Sequence, residues 1–292
     1  MLDGVITAMI TPFTPDNRID KAGLQSNIDF LIKRGISGVV PSGTTGESAT
    51  LTFQEHKDLI DISVECSTVP VVAGTGSNST SEALELTKYA ADAGADAALL
   101  ITPYYNKPND AGLLKHFTTI ADHADIPQIL YNVPSRTCIN MKNEVTAELA
   151  QHPNIMGIKE ASGDLDQIKD IIQRTQDQDF VIFSGDDALT VPIMELGGVG
   201  VISVAANIVP DKVTAMVQAF KAGNMDEVRR LEILLAPLIK ALFIETNPVP
   251  VKKAVELIGL ASGELRLPLA PISQENEEIL VAELKSIGVL ES

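Results

Sequence analysis

Lys159 is the residue whose type and setting most clearly suggest chemistry. It follows Met156-Gly157-Ile158 at the end of a short apolar segment. An amine among apolar side chains loses hydration, and this favours the neutral form that attacks carbonyl carbons. The alternative is a buried ion pair, with Glu160 or with an aspartate after the following strand. Adjacent strand residues point to opposite faces, so Glu160 is a poor partner. Spacing alone leaves both interpretations open.

Two other segments could assist such an amine. Tyr131 ends the preceding apolar segment, where a hydroxyl tuned by hydrogen bonds can transfer protons. A packed ring with a solvated hydroxyl is the structural alternative. The loop Gly43-Thr44-Thr45-Gly46 combines hydroxyls and exposed amides with glycines that permit close backbone approach. Such a loop can hold a carboxylate, although an ordinary strand-to-helix turn explains it as well.

Arg136 lies in a proline-containing turn, Pro134-Ser135-Arg136, shortly after Tyr131. A guanidinium there could bind a second carboxylate through two parallel hydrogen bonds. A solvated loop arginine is the simpler interpretation of this residue by itself.

The hydrophobic pattern predicts a scaffold that would position these residues. Short, nearly continuous apolar runs alternate with amphipathic segments, which is typical of parallel strands buried on both faces. Eight such units favour a (β/α)8 barrel, in which reactive groups lie where strands end. A doubly wound open sheet is the main rival. Gly74-Thr75-Gly76 is only a fragment of a dinucleotide-binding fingerprint, so the barrel is favoured. The predicted strands are 5–10, 38–41, 69–73, 97–102, 128–133, 155–159, 180–184 and 200–204.

The strand pattern stops after about Asn224, and three helices are predicted beyond it, over 225–243, 249–258 and 275–286. We therefore expect a catalytic barrel over residues 1–224 and a helical C-terminal region over 225–292.

Composition excludes several classes of protein. The 292 residues are 45% hydrophobic, which is enough for a large core. The formal net charge of −17 disfavours nucleic acid and anionic membranes as main partners. Two cysteines make a disulfide framework improbable in a chain of this length. Neither a signal peptide nor a membrane span is recognised, so a cytoplasmic protein is expected. The four histidines lack metal-ligand spacing, and no metal site is predicted.

Three motifs together resemble the pyruvate-dependent class I aldolase family, in its dihydrodipicolinate synthase branch. They are Gly43-Thr44-Thr45-Gly46-Glu47, Tyr131-Asn132-Val133-Pro134-Ser135-Arg136-Thr137 and Gly157-Ile158-Lys159-Glu160. The resemblance extends from Gly4 to Pro271. N-acetylneuraminate lyase is the nearest alternative within the family, but the Pro-Ser-Arg-Thr turn favours the synthase branch.

The resemblance implies a role for each site residue. Lys159 would form a Schiff base with pyruvate, and Thr44 and Thr45 would hold the pyruvate carboxylate. Thr45 and Tyr105 would complete a proton relay with Tyr131. Arg136 would bind the carboxylate of L-aspartate semialdehyde. The backbones of Gly185 and Ile202 would line the pocket.

The resemblance also implies the setting of the reaction. The product would be 4-hydroxy-tetrahydrodipicolinate, on the path through diaminopimelate to lysine. No metal or diffusible cofactor would be required. In this family Tyr105 reaches in from a neighbouring subunit, which implies a homo-oligomer, with a tetramer built as a dimer of dimers expected.

Lysine-inhibited relatives carry an interface pocket for the end product. Its residues correspond here to Ser48, Ala49, His56, Asn78, Glu82 and Tyr104. Phe53 replaces a histidine that strongly inhibited relatives often have, so only partial inhibition by L-lysine is expected. The structural alternative is that Asn78 is a helix N-cap and Glu82 a first-turn acid that interacts with the helix dipole.

A barrel that binds a keto acid without turnover is a hypothesis of a different class. A nucleophilic amine beside a proton-transferring tyrosine and an arginine argues against it, because binding alone requires neither group.

Overall fold

The computed structural model describes residues 2–291 and contains all eight predicted strands. They are parallel and follow the order β2-β1-β8-β7-β6-β5-β4-β3, with helices between them. The predicted (β/α)8 barrel is thereby confirmed. The strands are β1 Gly4–Ala8, β2 Gly38–Val40, β3 Val72–Gly74, β4 Ala97–Ile101, β5 Gln128–Asn132, β6 Ile155–Glu160, β7 Val181–Ser184 and β8 Gly200–Ser203.

The three helices predicted over 225–243, 249–258 and 275–286 are present, and their bounds differ from the prediction by at most one residue. The described chain contains twelve α-helices. They are α1 Lys21–Ile32, α2 Phe53–Cys66, α3 Thr80–Ala93, α4 Asp110–His123, α5 Pro134–Thr137, α6 Asn143–Leu149, α7 Leu165–Thr175, α8 Thr190–Leu196, α9 Pro210–Lys221, α10 Met225–Leu242, α11 Val249–Leu257 and α12 Gln274–Ser286. No helix among residues 2–291 combines the length and apolar character needed to span a membrane.

The third strand is shorter than predicted at its start, at 72 rather than 69. Pro70 has no backbone N–H to donate to a ladder. The Ser67 hydroxyl also forms a local turn, in which it donates to the Val69 carbonyl oxygen and accepts from the Val69 N–H. Apolar character alone did not reveal this turn.

The Cα positions group the described chain into two compact units. Residues 70–202 form one unit and contain β3 to β7. Its core includes Leu100, Phe117, Leu130 and Ile158, all of them buried. Residues 2–69 and 203–291 form the other unit, which contains β1 and β2. Within it α10 packs against α9 and α12. The predicted division at residue 224 stays a prediction.

Arg266 is a buried charge of the second unit with several side-chain contacts. Its guanidinium lies 4.2 Å from the centre of the Phe13 ring and donates to both carboxylate oxygens of Glu55. It also donates to the backbone oxygens of Asn17 and Thr50. Glu55 is the third residue of α2 and caps the helix reciprocally with Thr52. Arg266 therefore fixes the start of α2.

We expect this contact to make stability acid-sensitive. The Arg266 hydrogen bonds lower the pKa of Glu55 from 4.5 to about 2. A folded-state pKa below the unfolded one adds stability above the unfolded value, and this stability is lost as the pH falls through the folded one. Glu55→Gln, which keeps the cap, should cost about 1–3 kcal/mol of unfolding free energy at neutral pH.

Urea unfolding of Glu55→Gln and wild type at several pH values measures this effect. The difference between them should shrink from about pH 5 to about pH 2. Glu65→Gln, at an exposed position of the same helix, controls for the loss of one formal charge. A difference that stays constant with pH would show that the ion pair contributes nothing.

Candidate active site

Lys159 and Tyr131 lie side by side on neighbouring strands. Lys159 of β6 is in register with Tyr131 of β5, and its Nζ lies 4.3 Å from the centre of the tyrosine ring. The lysine is 5% exposed, and the tyrosine is also buried. No residue from 2 to 291 forms an ion pair with Lys159, so the structural alternative of a buried salt bridge lacks a partner.

Glu160 points away from the amine, as the strand alternation predicts, and its carboxylate is bound elsewhere. Asn132 Nδ2 donates to both of its oxygens at 3.1 and 3.0 Å, and the Ser162 N–H donates at 2.7 Å. Burial raises the pKa of Glu160, and these hydrogen bonds oppose the rise. The Met141 N–H in turn donates to Asn132 Oδ1, which fixes the orientation of the amide.

The same two strands therefore carry two cross-strand pairs in succession. Tyr131 faces Lys159, and Asn132 faces Glu160 one residue later. The Asn132–Glu160 pair is buried, and its hydrogen bonds stabilise the strand register that places Tyr131 beside Lys159. No role was predicted for Asn132 from the sequence. The one feature of the sequence that could have indicated its role is the position of a polar residue at the end of an apolar strand.

Gly185 follows β7 and lies against the reactive strand. Its N–H donates to the Glu160 carbonyl oxygen at 2.7 Å. A Cβ at this position would come within 2.7 Å of the Ala161 Cβ and 3.2 Å of the Lys159 Cε. Only glycine leaves this space beside the amine open. Ile202, the other predicted lining residue of the same unit, is buried in β8.

Arg136 is exposed at the third position of the short helix α5, which Pro134 begins. The buried Thr137 hydroxyl anchors this turn, because it lies within hydrogen-bond distance of the Val133 and Ile139 carbonyl oxygens and can donate its proton to either. The structure thus fixes the backbone of the turn and leaves the guanidinium at the surface of its unit.

Tyr105 extends from the loop after β4 and is 90% exposed. Its φ of 71° is left-handed, an uncommon and strained conformation for a bulky residue. Asn106 fixes the loop next to it by donating to the Asn78 carbonyl oxygen. The ring consequently projects away from the core of its unit.

The threonine loop belongs to the other unit. Three backbone hydrogen bonds close it into a tight turn, from Gly46 and Ser48 to the Gly43 oxygen and from Glu47 to the Thr44 oxygen. A Cβ on Gly46 would meet the Ser42 nitrogen and the Thr11 hydroxyl at 3.2 Å. The buried Thr45 hydroxyl accepts a hydrogen bond of 3.0 Å from Asn247 Nδ2. Asn247 lies between the helices predicted over 225–243 and 249–258, and no role was predicted for it.

The residues predicted for lysine binding are divided between the two units. Ser48 and Ala49 form a short 3-10 turn, and His56 is buried in α2. Asn78, Glu82 and Tyr104 belong to the unit formed by residues 70–202.

The structural alternative for these residues is half correct. Glu82 lies in the first turn of α3, where its carboxylate accepts from the Ser77 hydroxyl at 2.8 Å. The N-cap of α3, however, is Ser79 and not Asn78, so that part of the structural alternative is wrong. Ser79 stands three residues before Glu82, which is the spacing of a capping box.

The histidines have structural contacts. His116 is buried, its Nδ1 lies 2.9 Å from the Thr80 hydroxyl, and burial lowers its pKa to about 4. Within the described chain, no three His, Cys, Asp or Glu side chains are placed to hold a metal ion.

Comparison with known proteins identifies the family. The model of the Dihydrodipicolinate synthetase family matches residues 1–287. The chain belongs to the dihydrodipicolinate synthetase family. It is 62% identical over 291 residues to the 4-hydroxy-tetrahydrodipicolinate synthase of Methanosarcina mazei, and the match covers 100% of both chains.

Solved structures of this family have the same fold. The dihydrodipicolinate synthase from Aquifex aeolicus superimposes with a TM-score of 0.96 at 43% identity and covers 99% of this chain and 100% of its own. The enzyme from Cyanidioschyzon merolae with lysine bound gives 0.95 at 42% identity, with 99% of each chain covered. The activity that follows from the family is 4-hydroxy-tetrahydrodipicolinate synthesis, a lyase reaction of lysine biosynthesis through diaminopimelate.

We predict that Asn132→Ala destabilises the fold more as the pH rises. Without the amide, the ionised Glu160 loses its main side-chain donor, and the Met141 N–H loses its acceptor. A buried polar group left without a partner costs about 1–3 kcal/mol, and more when it is charged. Because the folded pKa of Glu160 is already raised, its ionised form is the one penalised, and the penalty grows as the pH increases through that pKa.

Urea unfolding across the pH range measures this cost. Asn207→Ala is the matched control, because Asn207 is also buried and its side chain, among residues 2–291, bonds to backbone groups of Ile10, Ala8 and Val204. Equal pH dependence of the two variants would contradict the coupling of Asn132 to Glu160.

Proposed function

We propose that Lys159 is the Schiff-base lysine of this enzyme. The observation that carries the proposal is a buried amine 4.3 Å from the centre of the Tyr131 ring, at the ends of two registered strands. Lys159 Nζ attacks C2 of pyruvate, and water leaves to give an imine. The imine then accepts the electrons released when a methyl proton is lost. The resulting enamine carbon attacks the aldehyde carbon of L-aspartate semialdehyde.

Thr44 and Thr45 hold the pyruvate carboxylate in this proposal, through loop amides and hydroxyls. The support is the tight, glycine-dependent turn that carries them and the buried Thr45 hydroxyl. Tyr131 transfers protons during imine formation and carbon–carbon bond formation, with Thr45 and Tyr105 as its relay. Gly185 and Ile202 line the pocket, and the absence of a Cβ at Gly185 supports close approach there.

Tyr105 acts in a neighbouring subunit in this account. A tyrosine ring that is 90% exposed and held by a strained backbone has little to contact in its own chain. A homo-oligomer, built as a dimer of dimers, would supply the site that receives it. We place the enzyme in the cytoplasm, with pyruvate and L-aspartate semialdehyde as its substrates.

A coupled assay tests the activity and its branch. Pyruvate with L-aspartate semialdehyde should turn over, whereas pyruvate with N-acetylmannosamine should not. The reverse preference would assign the chain to sugar-acid chemistry despite its relatives.

Arg136 is proposed to bind the carboxylate of aspartate semialdehyde. Arg136→Ala should weaken use of the semialdehyde by about 2–4 kcal/mol of transition-state stabilisation, because a carboxylate loses its charged partner. The rate of imine formation with pyruvate should be unchanged. Arg18→Ala, at an exposed position paired only locally with Asp16, is the control. Equal loss of imine formation would make Arg136 a pyruvate contact or a structural residue.

L-lysine is proposed as a partial inhibitor. Glu82 would pair with its α-amino group, Asn78 and Tyr104 would hold its carboxylate, and His56 would meet the far end of its side chain, beside Ser48 and Ala49. The lysine-bound relative supports this proposal. Phe53 limits the affinity, because its apolar ring offers the ligand no hydrogen bond. The centre of this ring lies 4.9 Å from Lys57 Nζ.

Calorimetry with L-lysine tests this pocket. Wild type should bind, Glu82→Ala should bind at least about tenfold more weakly, and Phe53→His should bind more tightly. Glu85→Ala, one helical turn further along α3, is the control. Undetectable binding at millimolar lysine, or equal binding by Glu82→Ala, would refute the pocket assignment.

A further inference from the structure

Lys252 is a fully buried charge that the proposed reaction does not use. It lies on α11, is 0% exposed, and donates to Glu47 Oε1 at 2.5 Å and to the Thr11 carbonyl oxygen at 2.9 Å. Its Nζ is 4.2 Å from the centre of the Phe13 ring. A lysine is rarely buried so completely unless its ammonium is paired and hydrogen-bonded.

Glu47, the partner of this lysine, ends the threonine loop. Its backbone is left-handed, with φ of 56°, a conformation that non-glycine residues adopt only where surrounding contacts enforce it. The second carboxylate oxygen of Glu47, Oε2, accepts a hydrogen bond of 3.1 Å from the backbone N–H of Arg266. Two residues of the C-terminal segment thus hold the end of the loop from one side.

The loop is held at two further points. The Thr11 hydroxyl, whose own carbonyl receives Lys252, donates to the Gly46 carbonyl oxygen at 2.7 Å. Asn247, at the start of the segment that leads into α11, donates to the Thr45 hydroxyl oxygen at 3.0 Å. Because that oxygen accepts from Asn247, its proton is directed elsewhere and its orientation is set.

From these contacts we infer that Lys252 and Asn247 are positioning residues for pyruvate binding. They act through Glu47 and Thr45 and set the backbone and hydroxyl directions of the loop. The inference rests on the proposed role of Thr44 and Thr45. In this inference the helical C-terminal region contributes to pyruvate affinity as well as to packing.

A purely structural ion pair would behave differently from a positioning one. Loss of packing or charge balance lowers the melting temperature and the fraction of active enzyme. This reduces kcat and leaves the KM of each substrate unchanged. Misdirection of the threonine loop raises the KM for pyruvate selectively, because aspartate semialdehyde enters after the imine has formed and its carboxylate binds Arg136 instead of the loop.

Steady-state kinetics of Lys252→Met and Asn247→Ala provide the test, with the folded fraction of each checked by circular dichroism. In both variants, kcat/KM for pyruvate should fall roughly tenfold or more, through KM, and the KM for aspartate semialdehyde should change less than about twofold. Lys253→Met is the matched control. That lysine is next in sequence but contacts Glu256 and Glu277 at the surface, and its loss should leave both KM values unchanged.

Thr45→Val distinguishes failure of the inference from failure of the proposed function. If Thr45→Val impairs pyruvate use and neither Lys252→Met nor Asn247→Ala does, the positioning inference is overturned while the loop keeps its role. If Thr45→Val leaves pyruvate use intact, the loop assignment itself is wrong. Should Lys252→Met fail to fold, Asn247→Ala, which removes no buried charge, decides the question alone.

Discussion

The register between β5 and β6 is the constraint on which the site depends. Side chains alternate between the two faces of a strand, so a shift of β6 by one residue would place Ile158 or Glu160, and not Lys159, opposite Tyr131. The two pairs need opposite environments. The amine requires an apolar pocket with access for a carbonyl, whereas the carboxylate requires donors that compensate for its burial. Asn132 and the Ser162 N–H supply those donors, so the register that satisfies Glu160 also places Lys159 beside Tyr131.

Burial then determines which groups can take part in chemistry. The charges that are deeply buried and paired, such as Lys252 with Glu47, hold backbone in place. Lys159 is buried to a similar degree without an ion-pair partner among residues 2–291. This difference separates a structural lysine from a candidate nucleophile more clearly than exposure does. The exposed groups, Arg136 and Tyr105, sit on turns whose backbones are fixed by neighbouring residues, which suits them to meet a substrate or another subunit.

The sequence predicts the barrel and the three C-terminal helices because apolar runs and helical faces are local signals. It also isolates Lys159, since a cation on an apolar strand is conspicuous. It does not predict the roles of Lys252 and Asn247, because their partners Glu47 and Thr45 lie 205 and 202 residues away in the chain. Nor does it predict the role of Asn132, whose partner Glu160 is 28 residues away on another strand. Ser79 was missed as the cap of α3 because neighbouring polar residues, Asn78 among them, compete for the same position. The threonine loop shows both cases: its glycines are visible in the sequence, but the contacts that orient it are not.

The central claim is that the buried amine of Lys159 is the group that attacks pyruvate. Incubation with pyruvate and borohydride, followed by peptide mapping with mass spectrometry, tests it most directly. The account predicts one reduced pyruvyl group per chain, on Lys159. It also predicts that Lys159→Ala carries none while Lys252→Met still carries the label on Lys159. A label on any other lysine, or an unlabelled wild type, would contradict it.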